Sequence, residues 1–208
     1  MLQIHHLNNS RSQRILWLLE ELAPLPYEIV KYQRLSPIPW APPELKKVHP
    51  LGKSPVITDN GMTIAESGAI IEYIIDTYGN GKMKPKAGTK EYWKYIEWMH
   101  FAEGSAALPF IFALFMPSMQ DTVRIVTQRV RDEIANHLSY MEEAIKGRDF
   151  FVGNELTGAD FQLLFITEMA GARLAPYPHL VKYRAAMQAR PAYLRSVEKG
   201  GEYGLMSR

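Results

Sequence analysis

The spacing of apolar positions changes several times over the first eighty residues. Leu2 to Leu7 is a short apolar-rich run closed by Asn8-Asn9-Ser10, which reads as a strand followed by a turn and a helix cap. Ile15, Leu18, Leu19 and Leu22 then recur at i, i+3, i+4 and i+7, one face of a helix that stops before Pro24. Tyr27 to Tyr32 is β-branched and aromatic, a second strand. Ser36 to Pro43 holds four prolines and excludes a regular element, whereas Glu44 to Val48 allows a short helix. Pro55 to Thr58 and Met62 to Ala65 flank Asn60-Gly61, a pair suited to the tight type I′ hairpin turn. Ile70, Ile71, Ile74, Ile75 and Tyr78 make a further helical face, so the order is β-α-β-α-β-β-α.

Beyond Tyr78 the pattern becomes helical throughout. Gly79 to Gly88 is rich in Gly and Lys and reads as a connector, which gives an α/β domain over 1–79, a linker over 80–88 and an all-helical domain over 89–208. Thr89 to Met116 reads as one long helix kinked at Pro109. Val123, Val126, Val130, Ile134, Leu138, Met141 and Ile145 form the stripe of the next, which Gly147 ends. Thr157 and Asp160 form a capping box with Asp in place of Glu, and Leu156 and Phe161 occupy the two staple positions around it. Two shorter helices follow, separated near Pro191, and the tail from Gly200 to Arg208 is expected either to be mobile or to flank a site.

Composition narrows the chemistry. A chain of 208 residues can bury one sizeable core or two small ones. Its 24 Lys plus Arg against 22 Asp plus Glu leave a net charge of +2 with no basic block, so nucleic acid is not expected as a partner. There is no cysteine, which removes disulfides, thiolate metal sites and any protein-supplied sulfur nucleophile, and fits a reducing, cytoplasmic setting. Met1 to His6 lacks the charged and apolar regions of a secretory signal. The longest apolar run, Ala106 to Pro117, falls short of the roughly 20 residues that span a bilayer, so no membrane partner is expected. His5 and His6 face opposite sides of a strand, His100 and His137 read as interior or interface residues, and no His motif has metal-ligand spacing.

Three short stretches carry candidate chemistry. Ser10 lies where the first strand meets the first helix, a place of unpaired N–H donors and partial positive charge that would lower the pKa of a thiol brought there. Gly52-Lys53-Ser54-Pro55-Val56 puts a proline, compatible with a cis bond, just before a strand, where backbone groups can pair with an extended peptide. Glu66-Ser67 precede the third helix and can receive an ammonium and a carboxylate respectively. Each stretch also has a plain structural reading: Ser10 as a helix cap, Pro55 as an ordinary trans proline, Glu66 and Ser67 as capping residues.

Taken together, His6-Leu7-Asn8-Asn9-Ser10-Arg11-Ser12-Gln13-Arg14-Ile15-Leu16-Trp17-Leu18-Leu19-Glu20-Glu21-Leu22, the stretch from Pro43 to Val56 and Ala65-Glu66-Ser67-Gly68-Ala69-Ile70-Ile71 resemble the cytosolic glutathione transferase family, closest to a serine-type branch of bacteria and fungi. The Thr157–Asp160 box is similar to the folding motif of that family's helical domain. The resemblance implies a thioredoxin-like N-terminal domain followed by a helical-bundle C-terminal domain, with glutathione as co-substrate and no permanently bound cofactor or metal. It implies that Ser10 donates to the glutathione thiolate; Asn9 and Ser12 are the rival donors, of which Ser12 lies inside the helix and is expected to point elsewhere. Val56, after a cis Pro55, would pair through its backbone with the cysteinyl part, Glu66 and Ser67 would hold the γ-glutamyl end, and Lys53 would meet the glycyl carboxylate. Phe101, Phe110, Phe112, Phe115, Met116 and Met119 are apolar candidates for an electrophile pocket. A homodimer and a small electrophilic substrate are the implied partners, while peroxide reduction, isomerisation, or a non-catalytic binding role remain the alternatives on the same fold.

Overall fold

A computed structural model describes residues 1–36, 40–115 and 124–205. The first part runs β1 (Gln3–Leu7), α1 (Ser12–Glu21), β2 (Glu28–Tyr32), α2 (Leu45–Val48), β3 (Val56–Asp59), β4 (Met62–Ala65) and α3 (Ser67–Tyr78). The four strands form one mixed sheet in the order β2-β1-β3-β4, with β1 parallel to β2 and the other pairings antiparallel. Asn60 and Gly61 both take positive φ, 48° and 79°, as a type I′ turn requires. The core beneath the sheet is built from Ile4, Ile15, Leu18, Leu19, Val56, Ile57, Ile70, Ile71 and Ile74, all fully buried. Each such side chain contributes roughly 1.5–3 kcal/mol of burial free energy.

The second part contains α4 (Lys90–Phe101), α5 (Ala107–Phe115), α6 (Arg124–Ile145), α7 (Gly158–Ala170) and α8 (Pro178–Gln188), followed by α9 (Pro191–Gly200). The single long helix expected over 89–116 is divided by a π-helical turn at Ala102–Ala106. Pro109 has no N–H to give the Ser105 carbonyl, and the bonding period changes in the turn just before it. Val123 and the side chains of Phe115, Met116 and Met119 lie outside the described residues. Of the other apolar candidates, Phe110 is buried core, Phe101 is half-buried, and Phe112 stands half-exposed on α5. Val126, expected on the buried stripe of α6, is exposed, whereas Val130 to Ile145 of that stripe are buried.

Two compact units emerge, divided between Lys84 and Pro85. Among the described residues, Met187 to Leu205 group with the first unit, whereas the sequence reading places them in the helical domain over 89–208. The reason lies in α9, whose inward positions Ala192, Tyr193, Ser196 and Gly200 are buried against α1. Tyr193 meets Trp17 edge-on at 5.7 Å, and Gln13 Nε2 donates to Ser196 Oγ at 3.0 Å. Glu20, only 3% exposed, accepts from Tyr27, Arg195 and Lys199, while Glu21 takes a two-pronged bond from Arg190. Burial alone would raise the Glu20 pKa, yet the bonds from Lys199, Tyr27 and Arg195 bring it below its ordinary value.

In the second unit the capping box forms as read. Asp160 Oδ2 accepts from the Thr157 N–H at 2.9 Å and the Thr157 hydroxyl at 3.1 Å, while Oδ1 accepts from the Phe151 N–H and Tyr183 Oη. The carboxyl is fully buried, and burial outweighs its donors, pushing its pKa up to about 6 from 3.8. A raised folded pKa favours the protonated form, so this contribution to stability is complete below pH 4 and is lost as the pH rises through 6. Asp160→Asn turns an N–H₂ toward groups that are themselves donors. It should cost about 2–4 kcal/mol in urea unfolding and remove that component of the pH dependence; equal stabilities across the range would contradict it.

Candidate functional site

The register of the sheet brings the three candidate stretches to one end. Val56 pairs with His5 on one side and Ala65 on the other, so the end of β1, the start of β3 and the end of β4 lie side by side. The turn bearing Ser10 leaves from the first, Ser54-Pro55 enters the second, and Glu66-Ser67 leaves the third. Residues more than fifty positions apart in sequence therefore share one edge.

Arg34, just beyond β2, secures the β1–α1 turn. Its Nε and Nη2 donate to the carbonyls of Asn8 and Asn9 at 3.1 and 3.0 Å, and its N–H donates to Asn8 Oδ1 at 2.8 Å. Asn9 adopts φ 50°, a left-handed conformation that asparagine tolerates better than most residues. Its side-chain oxygen accepts the Gly204 N–H at 2.5 Å, and Tyr203 and Leu205 on either side of Gly204 are buried. The tail up to Leu205 is thus packed against the β1–α1 turn.

Ser10 is 7% exposed, and its Oγ accepts the Ser12 N–H at 3.2 Å, a partial helix cap. Ser12 does not point elsewhere, as expected of a residue inside the helix. It is the first helical residue, and its hydroxyl turns inward to lie 2.7 Å from Ser10 Oγ and 2.8 Å from His6 Nδ1. Burial, against the pull of the Gly200 backbone, holds the His6 pKa down at about 4, so the ring is neutral at physiological pH. His5 faces the other way and meets Tyr32 Oη at 3.0 Å.

The Ser54–Pro55 bond is cis. Val56 is fully buried and in register with strands on both sides, which leaves no open edge at its backbone for an extended ligand. That overturns the pairing role read for Val56. The unoccupied groups belong to Ser54, one residue before the proline: among the described residues its N–H and C=O make no hydrogen bond, while its hydroxyl is anchored on the His5 carbonyl at 2.9 Å. Only the two-sided register distinguishes the two neighbours of Pro55. Lys53 is exposed and has no ion-pair partner among the described residues.

At the start of α3, Glu66 takes φ 72° with an exposed carboxylate that caps nothing. A non-glycine residue held there costs of order 1–3 kcal/mol, which marks the position as one constrained by more than packing. Ser67 is buried as a residue, makes no side-chain hydrogen bond among the described residues, and sits beside the unpaired amides of the first helical turn. A carboxylate would find a hydroxyl, amides and the positive end of the helix dipole there, with Glu66 free for a neighbouring ammonium. Among the described residues no cluster of three metal-ligating side chains occurs, and no helix is long and apolar enough to cross a membrane.

Two family models match the chain. Residues 4–76 match the family model "Glutathione S-transferase, N-terminal domain" and residues 105–191 match "Glutathione S-transferase, C-terminal domain". The chain is 35% identical to Glutathione S-transferase 3 of Schizosaccharomyces pombe, over 96% of this chain and 88% of that protein. It is 31% identical to Glutathione S-transferase 1 of Saccharomyces cerevisiae, over 98% and 97% of the two chains. A crystal structure of a glutathione S-transferase from Actinobacillus pleuropneumoniae superposes with a TM-score of 0.90 at 34% identity, covering 99% of this chain and 95% of that one. A glutathione transferase homologue from Lodderomyces elongisporus, crystallised with two glutathione molecules per subunit, superposes at 0.79 with 25% identity, covering 95% and 98%. The chain belongs to the glutathione S-transferase family.

Proposed function

We propose that this protein binds glutathione along the shared edge of its sheet and activates the thiol as a thiolate for attack on a small, apolar electrophile. The observation that carries the reading is the convergence of Ser10, the unpaired Ser54 backbone and the Glu66-Ser67 helix start at one end of the sheet. Glutathione has the matching order of groups: a zwitterionic γ-glutamyl end, a cysteinyl unit with backbone N–H and C=O, and a glycyl carboxylate. In this reading Glu66 and Ser67 take the first, Ser54 pairs with the second, and Lys53 meets the third as a point charge. Ser10 then donates its hydroxyl proton to the sulfur, and Asn9, whose side-chain oxygen is held by Gly204, is the lesser candidate.

The chemistry needs neither a metal nor a protein nucleophile. The thiol proton leaves to solvent, the thiolate is held by the Ser10 hydroxyl and the start of α1, and its electron pair forms the new carbon–sulfur bond as the leaving group departs with its own pair. The family resemblance adds a homodimer acting in the cytoplasm.

Ser10→Ala should raise the pKa of bound glutathione by about one unit, followed by thiolate absorbance against pH, while S-methylglutathione affinity changes less than about threefold. Ser67→Ala should do the reverse, weakening both ligands about 5–10-fold with the thiol pKa unmoved, since one hydrogen bond is worth about 1 kcal/mol. Identical thiolate titrations in Ser10→Ala and the unaltered protein would remove Ser10 from the role.

A further inference from the structure

Asn9 stands one residue before Ser10 and is gripped at two of its groups. Its carbonyl accepts from Arg34 Nη2 at 3.0 Å, and its side-chain oxygen accepts from the Gly204 N–H at 2.5 Å. The second partner lies 195 positions along the chain. A backbone N–H near the surface has water as an alternative acceptor, so the tail is not obliged to make this bond. It is seated there by Tyr203 and Leu205, which are buried on either side of Gly204. Because a backbone N–H is met by the oxygen of a carboxamide and not by its nitrogen, the bond also fixes which end of the Asn9 side chain faces the tail.

The route of the tail is set by α9. Arg190, Arg195 and Lys199 bond to Glu21 and Glu20 near the C-terminal end of α1. Gly201 then ends α9: its N–H reaches the Val197 carbonyl at 2.9 Å, and its φ of 89° is one that glycine adopts without strain. The chain leaves the helix there and reaches Asn9 three residues later. The last helix and its tail thus engage α1 at its C-terminal end and the turn that leads into it at its N-terminal end.

We infer that Gly201–Leu205 is a strap that positions Ser10, with Gly204 as its contact and Asn9 as the residue through which it acts. Held by Arg34 on its carbonyl and by the strap on its side chain, Asn9 keeps its left-handed φ of 50°, and the residue that follows it starts from a fixed place. A hydroxyl that has to meet a thiolate depends on such support, since a loosely held donor spends part of its time aimed elsewhere. Gly204 and Asn9 are positioning residues, and no proton moves along the strap. The inference rests on the reading of Ser10 as thiolate donor.

The test is the thiolate titration of bound glutathione, read beside S-methylglutathione affinity, in three variants of the full chain, each with and without Ser10→Ala. Gly204→Pro removes the N–H. Gly204→Ala keeps it, and the added Cβ would lie 3.4 Å from Asn9 Oδ1, an ordinary contact. Asn9→Gly removes the acceptor while tolerating the left-handed φ. Gly204→Pro and Asn9→Gly should each raise the thiol pKa by about half a unit to one unit, an about three- to tenfold loss of thiolate, with S-methylglutathione affinity unchanged. Gly204→Ala should titrate as the unaltered protein does. The two shifts should not add when combined, and in the Ser10→Ala background neither should appear.

An unshifted Gly204→Pro, with Ser10→Ala shifted, overturns the inference while leaving Ser10 in place. Equal shifts in Gly204→Pro and Gly204→Ala overturn it as well, because the N–H is then not the cause. A shift in Asn9→Gly that persists in the Ser10→Ala background means that Asn9 acts on the sulfur itself, which also overturns it. An unshifted Ser10→Ala removes the underlying reading and the inference with it. If Gly204→Pro does not fold, Asn9→Gly with and without Ser10→Ala decides the matter by the same criteria.

Discussion

A buried imidazole that has to stay neutral sits where β1, α1 and α9 meet, and the geometry of the thiol turn follows from it. His6 is removed from water by its own strand, by the first turn of α1 and by the end of α9 at Gly200. Burial sets its charge, and the same enclosure leaves Nδ1 a single partner, Ser12. Ser12 is the first helical residue, and the turn before it is pinned by Arg34 from just beyond β2. The placing of one hydroxyl at the helix start is thereby tied to packing on three elements.

That dependence explains why the last helix belongs to the first compact unit. The charged clamp of Glu20 with Arg195 and Lys199, the Glu21–Arg190 pair and the Gln13–Ser196 bond run along α1 and fix α9 to it along its length. Glu20 is almost wholly buried, so its three donors chiefly cancel the cost of removing a carboxylate from water, and the gain is specificity of placement more than net stability. With α9 held in this way, only a residue without a side chain fits at Gly200 against the imidazole. The tail beyond it then reaches Asn9, beside Ser10 in the same turn.

Most of the fold was legible in the sequence because the elements are short and their apolar periods are clean. The alternation of β1 and α1, the Asn60-Gly61 hairpin and the Thr157–Asp160 box each rest on local physics, and each formed where the residues indicated. The departures share a cause, since each depends on contacts distant in sequence. Register alone encloses Val56 and leaves Ser54 open. Ser12 looked like a helix-interior residue until its hydroxyl was seen to face two residues back toward Ser10 and six back toward His6. A helix after Pro191 was visible, but the surface it covers was not, and the π-turn at Ala102–Ala106 lies one turn upstream of Pro109. The absence of cysteine carried furthest: with no thiol in the chain, a thiol site built around a serine has to receive its reactive atom from the ligand.

The claim on which all of this turns is that the β1–α1 turn stabilises a thiolate, and the direct measurement is the ultraviolet titration of glutathione bound to the unaltered protein. A free cysteine thiol titrates near 8.5, and a helix start with an aimed hydroxyl lowers such values by one unit or more. The account predicts that thiolate absorbance of the complex persists to pH 7.5 or below, at saturating glutathione, with the protein alone as blank. A bound thiol that titrates as it does in free solution would contradict it.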